Sequence, residues 1–291
     1  MEKKKLGFVL ISLAGVCWGS AGVLSKLLMN IGLFPEIIAM YRVSLGFLLL
    51  VSVFLFLKPS SLKVSLEKLF PLLFGGVVGV ALGILAYFYT IKLMSASVAV
   101  ILLYTYPIFA LIIARFFVGE KITFIKTVAV LFVLFGCFLV VKGYSLTYLR
   151  LTGWGVLIGL TSGLSFAIYV VFGRVMLKDV DGLAVIVYTL GFGALCLMVI
   201  NLLFHPLNLL VYGMNVWILL VLLAVIPTFL AFTFFITGLQ YLEASKASIC
   251  TTFEIVSALL FAFIFLGERL EPLQIVGALM VIFSIFLVYW K

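Results

Sequence analysis

The chain has 291 residues, of which 66% are hydrophobic and only 10% charged, with a formal net charge of +9. A soluble domain carries about 25% charged residues, so the composition excludes a protein that solvates its own surface in water and points to one embedded in lipid. The apolar runs, such as 128–141 and 275–289, are too long and unbroken for the alternating segments of a membrane β-barrel. Only a helix satisfies its own backbone within a single apolar segment, so an all-α integral membrane protein is expected.

A span needs about 20 apolar residues. The first is expected near 6–29, after Lys3-Lys4-Lys5. Its apolar run outlasts the core of a signal peptide and no Ala-x-Ala site follows, so it reads as a retained helix. Bulky Val16 before Cys17 argues against a lipoprotein site. The second, near 36–57, opens at Pro35, where proline is tolerated, and carries Tyr41 and Arg42. After the Lys58-Pro59-Ser60-Ser61 break, a third lies near 70–91 with Tyr87 and Tyr89, and a fourth near 95–118 with Tyr104, Tyr106 and Pro107. The turn Gly119-Glu120-Lys121 leads to a fifth near 124–142. Five more follow near 153–175, 183–204, 215–237, 246–266 and 272–290, with turn chemistry at 178–182 and 205–208. His205 falls in that last break, at an outer loop before Pro206. The four cysteines, Cys17, Cys137, Cys196 and Cys250, lie within spans without metal-ligand spacing, and their expected role is packing.

The ten spans are one unit used twice. Ala96-Ser97-Val98-Ala99 followed by Gly119-Glu120-Lys121-Ile122 recurs as Ala244-Ser245-Lys246-Ala247 followed by Gly267-Glu268-Arg269-Leu270, at a constant offset of 148. The same offset relates Phe117 to Phe265, Leu139 to Leu287 and Gly15 to Gly163. Two five-helix repeats, 1–143 and 150–291, are expected. A unit with an odd number of spans enters the membrane from opposite sides in its two copies, so the halves are inverted about a pseudo-twofold axis in the membrane plane. With the N-terminus cytoplasmic, twelve of the 19 Lys and Arg residues fall on the inner side. That bias places both termini in the cytoplasm and the chain in the inner or plasma membrane, although the 142–150 loop runs mildly against it. Glycines at four-residue spacing (Gly15/Gly19, Gly75/Gly79/Gly83, Gly155/Gly159/Gly163) let helix backbones approach closely. The same stripes suit static packing and sliding surfaces alike.

The repeated Ala-Ser, the proline-containing helix Tyr106-Pro107-Ile108-Phe109-Ala110 and the Gly-Glu-Lys/Arg turn resemble the EamA-type members of the drug/metabolite transporter superfamily. Trp18-Gly19 in the first helix and Arg42 in the second match as well. The resemblance covers nearly the whole chain. It implies a secondary transporter working by alternating access, often an exporter of amino acids or other small metabolites. One departure stands out. The family pattern often has proline in both copies of the fourth helix, whereas here Ile255 stands opposite Pro107 and Glu254 opposite Tyr106.

Glu254 lies eight residues into the ninth span, about 12 Å from its end, where a charge costs about 2.5–3.5 kcal/mol on the lenient insertion scale. Three roles are open to it: binding a cationic group of the substrate, exchanging protons, or pairing with a Lys or Arg. Arg42 suits either a carboxylate clamp or an interfacial tie. Lys26 and Arg174 are repeat mates near helix ends, where long cations snorkel to the interface. Glu120 and Glu268 read as connecting turns tied by charge or as gates on alternate faces, and Pro107 as a structural break. Trp18, Tyr41, Tyr87, Tyr104, Tyr106 and Phe253 are the aromatic candidates for a cavity wall. An aromatic cavity with one carboxylate suits an amine, and with Arg42 added it suits a zwitterion.

No P-loop, nucleotide-binding glycine pattern or His/Cys cluster is present, so neither an enzyme nor a cofactor-binding protein is expected. Nucleic acid is not an expected partner either. The expected function is movement of a small metabolite such as an amino acid about a central site, with the bilayer as environment and protons as a candidate coupling ion. A multidrug or organic-cation exporter is the alternative, and a non-transporting membrane sensor or assembly partner a third reading.

Overall fold

The structure, a computed structural model, describes residues 2–94, 96–145, 152–204 and 212–290. His205 and Arg150 lie outside the described residues. Among the described residues every regular element is helical. They form α1 (Glu2–Asn30), α2 (Pro35–Leu57), α3 (Leu66–Leu93), α4a (Ala96–Leu103), α4b (Tyr106–Phe117) and α5 (Phe124–Val140) in the first half. The second half has α6 (Gly153–Met176), α7 (Gly182–Phe204), α8 (Met214–Leu239), α9a (Ala244–Thr251), α9b (Phe253–Leu266) and α10 (Pro272–Trp290). Nine of the resulting segments are long and apolar enough to cross a membrane. The tenth, α5, has 17 residues and reaches about 26 Å at the usual helical rise. Leu48, Leu131, Phe135, Leu157, Leu195, Leu279 and Phe283 stay exposed on the perimeter, as lipid-facing side chains do.

The halves run in opposite directions. A Cβ on Gly7, near the start of α1, would sit 3.0 Å from Leu242 just past α8. Arg174, at the end of α6, donates to the carbonyls of Leu239 (3.0 Å) and Gln240 (2.9 Å) at the same place. The first turn of α1 and the last turn of its mate α6 therefore share one face, here called the terminal face because Tyr289 packs there on Phe8. Arg174 thus caps a neighbouring helix rather than only snorkelling. Lys26, its mate, pairs with Glu268 on the opposite face.

Mates also make matching neighbours. Helix α1 packs on α8 and α9b, as α6 packs on α3 and α4b, while α2 lies along its own mate α7 and α5 along α10. The pseudo-axis passes through these last two pairs. The α5–α10 crossing is close because a Cβ on Gly136 would meet Gly277 O at 2.7 Å, and one on Gly277 would meet Gly136 O at 2.5 Å.

Two irregularities recur at the 148 offset. The third helix of each half widens into a π stretch, at Gly75–Leu82 and at Val225–Leu230. The fourth helix breaks, at Tyr104-Thr105 and again at Thr252. An unbroken ninth span is therefore not what forms: the break persists where the proline has been lost. Thr252 turns its hydroxyl to Ile249 O (2.5 Å), a local bond that competes with the helical ladder. The glycine stripes face these breaks. A Cβ on Gly15 would approach Glu254 N to 3.1 Å, and one on its mate Gly163 would approach Leu102 O and Leu103 O to 2.9 Å.

Candidate functional site

The two broken helices meet near the centre of the molecule. The Tyr106 hydroxyl lies 2.8 Å from Thr251 Oγ1, so the first turn of α4b touches the last turn of α9a. Glu254 starts α9b from the other side of its break. A carboxylate there faces the positive end of a helix rather than its middle, which lowers the cost of burying it. Tyr104 comes within hydrogen-bonding reach of that carboxylate, and Arg42 and Tyr87 lie within its field. Sequence positions 42, 87, 104, 106 and 254 thus form one polar cluster contributed by four helices.

Glu254, Arg42, Tyr87 and Phe253 keep part of their surface accessible although they sit deep in the bundle. Opposite charges in the interior stabilise one another. Arg42 is held from behind: its Nε donates to Thr228 Oγ1 (3.2 Å) and its Nη2 to Pro227 O (3.1 Å) on the π stretch of α8. Pro227 and Thr228 were not legible as site residues in the sequence. An isolated Pro-Thr in an apolar run was the only signal available.

Tyr106 joins the cluster to a set of packed rings that includes Trp18. Trp18 and Tyr106 are almost fully buried. Trp18 packs edge-on against Phe166 (5.7 Å) and Phe232 (5.3 Å) and tilts onto Phe235 (5.4 Å), while Phe166 meets Tyr106 at 4.8 Å and Tyr169 at 6.3 Å. Side chains lean toward the start of their helix, so Trp18 points from mid-membrane toward the terminal face. Phe235 lies four residues from the end of α8 on that face. These rings form an aromatic plug between the polar cluster and the terminal face. Tyr41 points elsewhere, edge-on to Trp217 (5.5 Å) and Tyr212 (6.3 Å).

The two Gly-Glu turns are alike in backbone and unlike in surroundings. Gly119 and Gly267 have φ of +76° and +67°, a left-handed conformation that a side chain would strain. Each lets the next amide reach back into the preceding helix, Glu120 N to Ala114 O (3.1 Å) and Glu268 N to Ala262 O (3.3 Å). This is helix C-capping. Beyond it the copies diverge. The Glu120 side chain is 7% exposed and accepts bonds from the Ala244 amide (2.6 Å), the Ser245 amide (3.1 Å) and the Ser245 hydroxyl at the start of α9a. Lys126, 4% exposed, stands 3.6 Å from Glu120, pairs with Glu243 and donates to Lys121 O (3.1 Å). The Gly-Glu turn of one half is thereby latched to the Ala-Ser of the other on the terminal face. Glu268 is instead half exposed, with Lys26 at 2.7 Å.

Burial works against the charge of Glu243. The hydrogen bond from Lys126 and the charges of Lys126, Lys246 and Lys4 outweigh it and hold that carboxyl below the usual range. A concavity of about 580 Å³ opens beside the latch, lined by Glu120, Lys121, Lys126, Glu243 and Lys246. It stands apart from Glu254. Lys126 was missed in the sequence, where it looks like any other lysine in the first turn of a helix.

The family model that matches this chain describes the EamA-like transporter family, over residues 5–142 and again over 153–290. The transporter YoaV of Bacillus subtilis is 28% identical over 296 residues, covering 99% of this chain and 97% of its own. The threonine/homoserine exporter RhtA of Escherichia coli K12 is 28% identical over 276 residues, covering 92% and 85%. A solved crystal structure superposes with a TM-score of 0.83 over 97% of this chain and 96% of its own at 16% identity, a likeness of fold.

Proposed function

The chain belongs to the EamA-like transporter family, and from that premise we propose that it exports a small zwitterionic metabolite of the amino-acid class by alternating access about the cluster at the two helix breaks. The observation that carries this reading is that one carboxylate, Glu254, and one guanidinium, Arg42, lie within each other's field, both with accessible surface deep in the bundle. Glu254 takes the substrate ammonium, Arg42 its carboxylate, and Tyr87, Tyr104 and Phe253 the walls. The likeness to an exporter of threonine and homoserine supports the same class. Protons compete with the ammonium for Glu254, which makes that carboxylate the coupling group.

Alternating access assigns the two faces different work. The aromatic plug and the Glu120 latch close the terminal face, and the charge bias of the sequence makes that face cytoplasmic. In the opposite state the latch opens and Glu268, the mate of Glu120, approaches Ala96 and Ser97 at the start of α4a. The bodies that rock draw helices from both units, 1–143 and 150–291, because α1 packs on α8 and α9b and α6 on α3 and α4b.

Calorimetric titration of the purified protein with L-threonine tests the site. Wild type binds. Glu254→Gln and Arg42→Ala each weaken binding about tenfold or more, the loss expected when a charged hydrogen-bond partner is removed. Unchanged affinity in both variants would place the substrate elsewhere. A second reading, an organic-cation exporter, has one specific observation in its favour: Arg42 is tethered to α8 by two hydrogen bonds, as a purely structural arginine would be. Under that reading a simple amine binds as well as threonine, and Arg42→Ala affects both equally.

A further inference from the structure

The tether of Arg42 has a structure of its own. Pro227 lacks an N–H, so the carbonyl four residues earlier, Leu223 O, loses its helical partner. The Thr228 hydroxyl takes that carbonyl instead (3.1 Å). With its proton spent there, Thr228 Oγ1 presents a lone pair outward, and Arg42 Nε donates to it (3.2 Å). The wider π register acts on the next carbonyl. The Ala231 amide bonds to Ile226 O and Thr228 O, leaving Pro227 O free of its ordinary α-helical donor and open to Arg42 Nη2 (3.1 Å). One local distortion therefore supplies two acceptors at the spacing of one edge of a guanidinium. Thr228 is fully buried. Helix α2 comes close enough to use these acceptors because Gly46, one turn beyond Arg42, leaves room: a Cβ there would lie 2.4 Å from Thr228 Cγ2.

The repeat provides an internal comparison. At the 148 offset Arg42 corresponds to Leu190, and Pro227-Thr228 to Gly79-Val80 on the other π stretch. Both contacts bridge the halves, α2 packing on the π stretch of α8 and α7 on the π stretch of α3. At the α2–α8 contact, cation and acceptors occur together; at the equivalent α7–α3 contact, both are replaced by apolar or small residues. Helix packing alone would not require that exchange, since the Leu and Gly-Val copy packs as well.

We propose that the Pro227-Thr228 step is a positioning site that locks Arg42 by one edge, so that its three remaining N–H groups face the site and clamp a substrate carboxylate. Thr228 is then a specificity-determining residue: it sets the preference for carboxylate-bearing substrates without touching them. This rests on the reading of the cluster as a zwitterion site.

The test compares two compounds in proteoliposomes: L-threonine and 1-aminopropan-2-ol, which is threonine without its carboxylate. Thr228→Val keeps the shape but removes the hydroxyl. It is expected to raise KM for threonine about tenfold while moving KM for the amine less than twofold, and Thr228→Ser, which restores the hydroxyl, stays within twofold of wild type for both. If Thr228→Val does not reach the membrane, Thr228→Ala removes the same hydroxyl with a smaller group and reads the same ratio. An unchanged ratio of the two KM values in the hydroxyl-less variant overturns the proposal, as does a serine variant that behaves like valine. A wild type that accepts the amine as well as threonine overturns the zwitterion reading itself, and this inference with it.

Discussion

At the scale of single residues, Glu254 and Gly19 show how differently two interior positions act. Glu254 is a charge at a helix start with a guanidinium and a tyrosine nearby. Replacing it by glutamine preserves its size, so a fall in transport with an unchanged melting temperature is expected. Stimulation by a proton gradient is expected to vanish in the same variant, read as threonine flux with and without an imposed pH difference. Gly19 acts only through space. A Cβ there would lie 2.6 Å from Ser257 Cβ and 2.8 Å from the backbone nitrogen of Ala258, and backbone does not yield as a flexible side chain does. Gly19→Ala should destabilise by about 1–3 kcal/mol, the usual cost of overpacking. Gly22→Ala, on the same helix with no atom within 4 Å of the new Cβ, should be neutral or stabilising by up to about 1 kcal/mol. Thermal unfolding in detergent, run on both variants, separates the two.

At the scale of elements, the latch and the breaks carry the account. The Glu120 carboxylate holds two backbone amides and a hydroxyl of α9a, so Glu120→Ala leaves those donors uncapped, a loss of about 1–2 kcal/mol. Glu268→Ala removes only an exposed pair, worth about 0–1 kcal/mol. A cysteine introduced at Ser245 should accordingly react faster with a water-soluble maleimide when Glu120 is alanine, and at an unchanged rate when Glu268 is. Equal effects of the two glutamates would remove the asymmetry on which the closed terminal face rests. The latch also has an acid limit. The Glu243 carboxyl is held below its unfolded value, so its contribution is present above about pH 4.3 and is lost as pH falls through the lower folded value. The maleimide rate at Ser245→Cys, taken relative to that of a fully exposed cysteine at the same pH, should rise on that acid side.

The helices were legible in the sequence because long apolar runs bounded by Pro, Gly and charge leave few other options, and the structure places all ten within a few residues of expectation apart from an earlier start to α1 and α3. The break at Thr252 was not legible. Its twin is marked by Pro107, but the second copy relies on a threonine hydroxyl and on the close approach of α1, and neither has a residue signature. The burial of Lys126 depends on a glutamate from another loop meeting it in space, and the π stretch at Pro227 reveals itself only once Arg42 is seen against it.

At the scale of the whole molecule, inversion turns local differences between copies into functional ones. Where the repeats agree, in the Gly-Glu caps, the π stretches and the breaks, they build a frame whose two halves are related by a pseudo-twofold rotation, as the proposed alternation requires. Where they differ, with Glu254 for Tyr106, Arg42 for Leu190 and Pro227-Thr228 for Gly79-Val80, they give the frame one polar cluster without a symmetric twin. The odd helix count in the sequence already implied the inversion. The coincidence of the differing residues at one place emerged only from the fold, since residues 42, 228 and 254 lie far apart along the chain. The central claim is that this site carries a zwitterion across the membrane. It is tested most directly by counterflow of radiolabelled L-threonine into proteoliposomes preloaded with unlabelled threonine, for wild type and for Glu254→Gln. The account predicts transient accumulation of label by wild type and its loss, to about a tenth or less, in the glutamine variant. Accumulation by the variant equal to wild type would contradict it.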